Sequence, residues 1–298
     1  LGTGLLGLSV LAAFVGYLLP FYEFAVTATA IGYQMATAVP WIGQEVANLV
    51  FAGPFPNSHT VPRFYTLHIL LIPLALIGLI SVHLVIILKT KHTQDPGITG
   101  RLKEQAGTVK KGLVGVPMWP EQVTMMVAVF MAYAAGVTLL AAFVPVHPIE
   151  VYGPSRPGTP AVKPDWYLLW VYGILRIMPP IDVTVLGGNI NARFIAGILV
   201  PGAVGGAIAS VPVVDKLVTG SEVDDRDYTS IEKLTDRPGR TAIGIGAAAF
   251  FVLTGMAGYY TELGIPTNTM RARVVFGPLA VGAGSYLPIK ERFPTTPT

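Results

Sequence analysis

Between Phe64 and Leu88 the chain is almost unbroken in its apolarity; the stretch from Val61 to His92 reads VPRFYTLHILLIPLALIGLISVHLVIILKTKH. At about 1.5 Å per residue it crosses a hydrocarbon core of about 30 Å. Such a segment has little choice of structure, because in lipid every backbone polar group must be satisfied within the protein, and a helix does this locally. Two histidines interrupt it, His68 and His83, fifteen residues apart. On a helix they stand about 22 Å apart along the axis and about 60° apart around it, so both rings share one face. An imidazole in lipid turns toward the bundle interior and needs a partner there. A lone one is satisfied by a neighbouring helix. Two on one face, one near each membrane surface, favour stacked ligand sites, and neutral imidazole is an axial ligand of haem iron.

Composition supports a polytopic membrane protein. The chain is 52% hydrophobic and 12% charged, with mean hydropathy +0.59, against about 25% charged residues in soluble domains. It contains no cysteine, which rules out a disulfide, a thiolate haem ligand and an iron–sulfur cluster within it. The net charge of +3 comes from basic residues in short loops beside apolar runs and does not point to nucleic acid. The first residue is Leu1, without Met and inside an apolar run, and no signal peptide is recognisable, so an N-terminal portion is expected to be missing or separately encoded.

Taken in order, residues 1–20 read as a span ended by Pro20. Gly2 and Gly16 lie fourteen residues apart, about 40° from eclipsed. They suit either close helix packing or a flat macrocycle laid against the backbone. Residues 21–61 carry Glu23 and Glu45 but no Lys or Arg, and TATAIGYQMATAVPWIGQEVANLVFAG reads as short amphipathic helices in the interface. Residues 89–121 hold six Lys/Arg against three acids, a positive-inside signal that sets this loop on the cytoplasmic-equivalent side. Further spans are expected at about 122–144, 194–214, 241–260 and 272–288. Loops assigned alternately put thirteen of the twenty Lys/Arg inside. The fold expected is all-α: a transmembrane helical bundle of about six spans with short interfacial helices.

Between the third and fourth spans, VPVHPIEVYGPSRPGTPAVKP is too rich in proline for a helix. PDWYLLWVYGILRIMPP follows, Pro164 to Pro180. A carboxylate among aromatics at a membrane surface serves either as an interfacial anchor or, in a partly apolar pocket that raises its pKa, as a proton acceptor.

Several of these features together resemble cytochrome b, the quinol-oxidising subunit of cytochrome bc and b6f complexes. RFYTLH followed fifteen residues on by HL is similar to the family's fourth helix, with the b6-type interval. The glycine spacing and GYLLP resemble its third helix, and the twenty residues from Pro20 to Pro40 match the family. VPMWPEQ resembles the start of subunit IV, and PDWY with the downstream Leu175–Arg176 resembles the PEWY motif, Asp replacing Glu. The resemblance divides the chain at 121/122 into a b6-like part, 1–121, and a subunit IV-like part, 122–298, and implies that the family's first two helices are absent.

It further implies two b-type haems. His68 would ligate the low-potential one near an outer quinol site, and His83 the high-potential one. Gly2, Gly16 and Arg63 would lie at the cofactors, and the second axial ligands would come from outside this chain. Asp165 would accept a quinol proton with Tyr167 beside it, in a pocket lined by Tyr17, Pro164, Trp166 and Tyr172. The Asp form of the motif hints at a lower-potential quinone such as menaquinone. Glu23 stands where the family has Gln, which adds an acid near the pocket. The inner quinone site points to His92 or Lys89, although LKTKHTQDP departs from the family's ending; His92, like His59 and His147, reads as a loop or surface residue. The implied partners are a Rieske iron–sulfur protein, a cytochrome c or copper protein acceptor, the missing cytochrome b helices and a second copy in a homodimeric complex. The location would be a prokaryotic plasma membrane. Two other readings remain open on the residues alone: a proton-coupled transporter using His68, His83 and Asp165 as a relay, and a structural membrane subunit.

Overall fold

A computed structural model describes residues 1–90, 118–144, 153, 163–219, 234–235 and 237–292. His92, His147 and most of the basic 89–121 loop lie outside the described residues. Apart from one two-stranded hairpin, the regular structure there is helical, as a chain that must satisfy its backbone in lipid requires. Among the described residues, five helices are long and apolar enough to cross a membrane. The first expected span is shorter: α1, Gly2–Tyr17, has 16 residues, about 24 Å of helix.

α2 (Glu23–Thr37) and α3 (Gly43–Phe51) form the connector. α4 runs from Thr60 to Thr90 and contains a π turn at Leu67–Leu71. Pro73 accounts for the turn, because its ring clashes with the Ile69 carbonyl and it has no N–H to donate. The ladder widens instead, and Ile72 N–H donates to the Leu67 carbonyl, five residues back. His68 stands inside this widened turn. The same device recurs before Pro201, where Val200 N–H donates to Ile195.

Contacts divide the chain into two units. In the smaller, residues 87–153 and 223–231, the main described element is α5 (Val123–Phe143), preceded by a kinked segment, Met118–Gln122, in which Trp119 is extended (φ −120°, ψ 133°). It is exposed along nearly its whole length, as a lipid-facing span would be.

The larger unit holds the other elements. α6 (Trp166–Ile177) precedes a hairpin, β1 (Asp182–Val185) and β2 (Gly188–Asn191), with Val183 opposite Ile190. Its two turn residues, Leu186 and Gly187, have φ of 49° and 79°, the positive pair that a two-residue hairpin turn needs. The sequence reading did not anticipate this hairpin. α7 starts at Ala192–Phe194, where the Asn191 carboxamide accepts from Phe194 N–H, and continues through Ile195–Leu199 and Val200–Thr219. α8 (Pro238–Ala257) and α9 (Thr267–Arg292) complete it. The principal core joins Val15 of α1 and Leu18 at its C-cap, Ala36 of α2, Ala47 and Phe51 of α3, and Phe64 and Ile72 of α4. Phe51 and Phe64 meet edge to face at 5.4 Å, each worth about 1.5–3 kcal/mol of burial. This core fixes the connector against α1 and α4.

Candidate functional site

An apolar, half-open cavity of about 420 Å³ is lined by residues of α1, α2, α3, α6 and α7. Phe14 and Tyr17 reach it from α1, Phe24 and Met35 from α2, Phe51 from α3, Leu168 and Tyr172 from α6, and Ile198 from the π turn of α7. Its shape follows from the chain reversal after α1. The helix stops at buried Leu18, Phe21 takes a positive φ of 50°, and α2 starts back at Glu23. Tyr17 is thereby wedged between Phe14 (5.7 Å, edge-on) and Phe24 (5.3 Å, tilted). Glu23 is buried beside cavity-lining Phe24.

Three of the four expected lining residues, Tyr17, Pro164 and Tyr172, do line this cavity. Trp166 does not; it is 85% exposed and makes an edge contact with Tyr167. Asp165 occupies the N-cap of α6, yet its side chain makes no cap hydrogen bond. That is unusual for Asp, which ordinarily spends a carboxylate oxygen on the first-turn N–H groups. Tyr167 is the counterpart of this uncommitted acceptor, because its hydroxyl is buried and has no hydrogen-bond partner. Burial first, then the charge of Asp165, pushes the Tyr167 phenol up to about 12. Tyr17, Tyr167 and Asp165 lie within electrostatic reach of one another. A buried unpaired hydroxyl costs about 1–3 kcal/mol. Neither Asp165 nor Tyr167 is among the cavity-lining residues, which from this segment are Pro164, Leu168, Val171, Tyr172 and Leu175.

On α4, His68 and His83 are half-buried on a helix that is otherwise largely exposed. His68 Nδ1 lies 3.1 Å from the Ala12 carbonyl; a carbonyl only accepts, so the proton sits on Nδ1 and Nε2 keeps its lone pair. This suits an imidazole that ligates iron through Nε2, its other nitrogen fixed by a backbone oxygen. The His68 ring rests on Gly16, whereas a Cβ at Gly2 would meet nothing within 4 Å. Arg63 donates to the Asn48 and Leu49 carbonyls near the end of α3, where a cation suits the helix dipole. Among the described residues no group of three or more His, Asp or Glu could hold a bare metal ion. Haem needs only one imidazole from each side of its ring, so these residues fit it.

Sequence reasoning missed a polar cluster outside the cavity, where Lys163 and Arg176 meet Glu262. The signal available was a charged residue on either flank of the motif helix. It also missed Ile198, which no local pattern marks.

Fold and site together define a polytopic helical membrane protein with a ligand cavity walled by apolar and aromatic side chains. Residues 1–154 match the family model described as cytochrome b(N-terminal)/b6/petB, and residues 157–235 the one described as cytochrome b(C-terminal)/b6/petD. The chain belongs to the cytochrome b family. It is similar to the cytochrome bc1 complex cytochrome b subunit of Streptomyces coelicolor, at 30% identity over 85% of this chain and 45% of the relative. The proteins of the same description from Corynebacterium diphtheriae (30%, 94% and 52%) and Mycobacterium tuberculosis (30%, 86% and 45%) are similar to the same degree. The chain spans about half the length of these curated relatives.

Proposed function

We propose that this chain carries the quinol-oxidising cavity of a bc-type quinol:cytochrome c (or cupredoxin) oxidoreductase, together with one axial imidazole for each of two b haems. The observation that carries this reading is the convergence of Tyr17, Pro164 and Tyr172 on one apolar cavity, with the uncapped Asp165 and the unpartnered Tyr167 hydroxyl on the same segment as Pro164 and Tyr172. A quinol head has an apolar ring and two hydroxyls. It matches a cavity walled by carbon with a donor and an acceptor nearby.

Binding buries the quinol ring among Phe14, Phe24 and Tyr172, which excludes water. Asp165 accepts a quinol proton on its carboxylate and releases it on the outer side. Tyr167, neutral at working pH, donates its hydroxyl to a quinol oxygen and holds the head in register. His68 would hold the low-potential haem through Nε2 and His83 the high-potential one; Gly2 and Gly16 would leave room for the macrocycle, and Arg63 would offset its negative charge. Bound b haems supply one-electron relay across the membrane, with the second quinol electron leaving to a Rieske protein and then to a cytochrome c or copper protein. The quinone is menaquinone or another low-potential type. Residues 1–121 form the haem-ligating part and 122–298 the part bearing PDWY. The assembly is a homodimeric complex in a bacterial plasma membrane, its remaining haem ligands supplied by the first two cytochrome b helices. Proton translocation follows from quinol oxidation on the outer side.

The test uses the intact complex. Quinol should reduce the acceptor, and a reduced-minus-oxidised spectrum should show two b-type components, one removed by changing His68 and the other by changing His83. Colourless complex without quinol-dependent reduction is the outcome that sinks the reading.

A further inference from the structure

The segment joining α8 to α9 grips α6 at both of its ends. Before the helix, Lys163 Nζ lies 2.6 Å from Glu262 Oε1 and 4.7 Å above the Tyr259 ring. In its last turn, Arg176 donates to the Gly258 carbonyl (2.7 Å) and to Thr261 Oγ1 (2.9 Å), and its guanidinium lies 4.9 Å from the Tyr260 ring centre. Thr261 Oγ1 passes a hydrogen bond on to Glu262 Oε2 at 2.7 Å, and that oxygen is 3.6 Å from Arg176 Nη1. One carboxylate therefore faces both cations, with one oxygen toward each. Both cation side chains are largely covered, at 17% and 22% exposed, so their positions are set by packing as well as charge.

α6 needs such an anchor. It has 12 residues and no side-chain cap, too short to be stable alone. Its distance from α8 is fixed by Gly173, where a Cβ would come 1.8 Å from the Thr254 carbonyl oxygen. Trp170 against Phe250 and Phe251, and Arg271 Nε donating to the Ile177 carbonyl, hold its middle and its C-terminal end. The N-terminal flank, where Asp165 and Tyr167 sit, is held through Lys163.

We propose that Glu262 is a positioning residue of the quinol site, holding Lys163 and Arg176 so that Asp165 and Tyr167 keep their place in the segment whose Pro164, Leu168 and Tyr172 line the cavity. This rests on the function proposed above. Exposed ion pairs add little to stability, whereas a displacement of about 1 Å in a catalytic group costs on the order of 10²-fold in rate. Rate and stability should therefore separate.

The experiment compares Glu262→Gln, Glu262→Asp, Lys163→Met and the Lys163→Met/Glu262→Gln double variant in the intact complex. Read-outs are quinol-oxidation kcat and KM, haem content and thermal midpoint. Glu262→Gln should lower kcat about ten-fold or more, with haem content close to wild type and the thermal midpoint lowered only slightly. Glu262→Asp should recover most of the rate, and the double variant should be no slower than the slower single one. Wild-type kcat in Glu262→Gln overturns the proposal alone, as do strictly multiplicative losses in the double variant. Loss of haem in Glu262→Gln with Glu262→Asp and Lys163→Met both fully active overturns it too. A wild-type complex unable to oxidise quinol overturns the parent reading first, and this one with it.

Discussion

The imidazole of His68 lies on the backbone of Gly16: a Cβ at that glycine would stand 2.6 Å from Cε1 and 3.1 Å from Nδ1 of the ring. The same ring reaches the Ala12 carbonyl one turn earlier. A side chain at position 16 would push the ring off both contacts. Gly16→Val is therefore expected to reduce haem content, read from the reduced-minus-oxidised spectrum. Gly2 has open space around it, so Gly2→Val disturbs no contact within the chain. If a macrocycle lies against Gly2, that variant loses haem while its helix content by circular dichroism is unchanged; full haem content in it removes Gly2 from the cofactor site.

Tyr167 carries a buried hydroxyl without a partner. Deleting it removes a desolvation cost of about 1–3 kcal/mol from the ligand-free protein. Tyr167→Phe should thus be as stable as wild type or more so in thermal unfolding without quinol, and should bind quinol more weakly. The KM for quinol should rise several-fold. A destabilised variant with unaltered KM would mean that the hydroxyl serves the fold.

Asp165 sits at a helix N-cap without capping it. Replacing a working cap costs about 1 kcal/mol; here Asp165→Asn should cost little stability. As proton acceptor, however, its loss should slow quinol oxidation by about 10²–10⁴-fold. Asp165→Glu should retain much more activity. Steady-state acceptor reduction across pH, with haem content checked in each variant, decides the point: full activity of Asp165→Asn at every pH removes the residue from the mechanism.

The Lys163 hydrogen bond, followed by that of Thr261, holds the Glu262 carboxyl down at about 2, below its usual 4.5. A folded value below the unfolded one means that the contact contributes fully above about 4.5 and is lost as pH falls through about 2. The difference in thermal midpoint between wild type and Glu262→Gln should be constant from neutral pH to about 5 and close between 4.5 and 2. Because the carboxylate is exposed, added salt should shrink the difference as well. A difference that widens on acidification would contradict the assignment.

The α-helical membrane architecture, the long spans and the His68–His83 face were legible in the sequence, because lipid acts on each segment separately. A helix there must satisfy its own backbone and present apolar side chains, so local composition and spacing carry the answer. The Pro–Asp–Trp–Tyr run with its downstream Leu175–Arg176 was legible for a similar reason, being one contiguous piece of chain. Tertiary structure decided which parts of that piece meet the cavity. Tyr172 and Pro164 face it, Trp166 is exposed, and the half-buried Tyr167 keeps its hydroxyl covered and unpaired. Those outcomes depend on how α6 packs against α8 and α9, through the close approach at Gly173, Trp170 against Phe250 and Phe251, and Arg271 on the Ile177 carbonyl, all from residues distant in sequence. The β1–β2 hairpin is of the same kind: its turn buries no core, yet Trp41 donates to the Leu186 carbonyl and covers Gly188, a contact between segments that share no local pattern. The sequence determined which segments belong in the membrane and which residues could ligate or accept a proton. Packing between segments far apart in the chain decided which of them stand together, because no local period encodes a long-range contact.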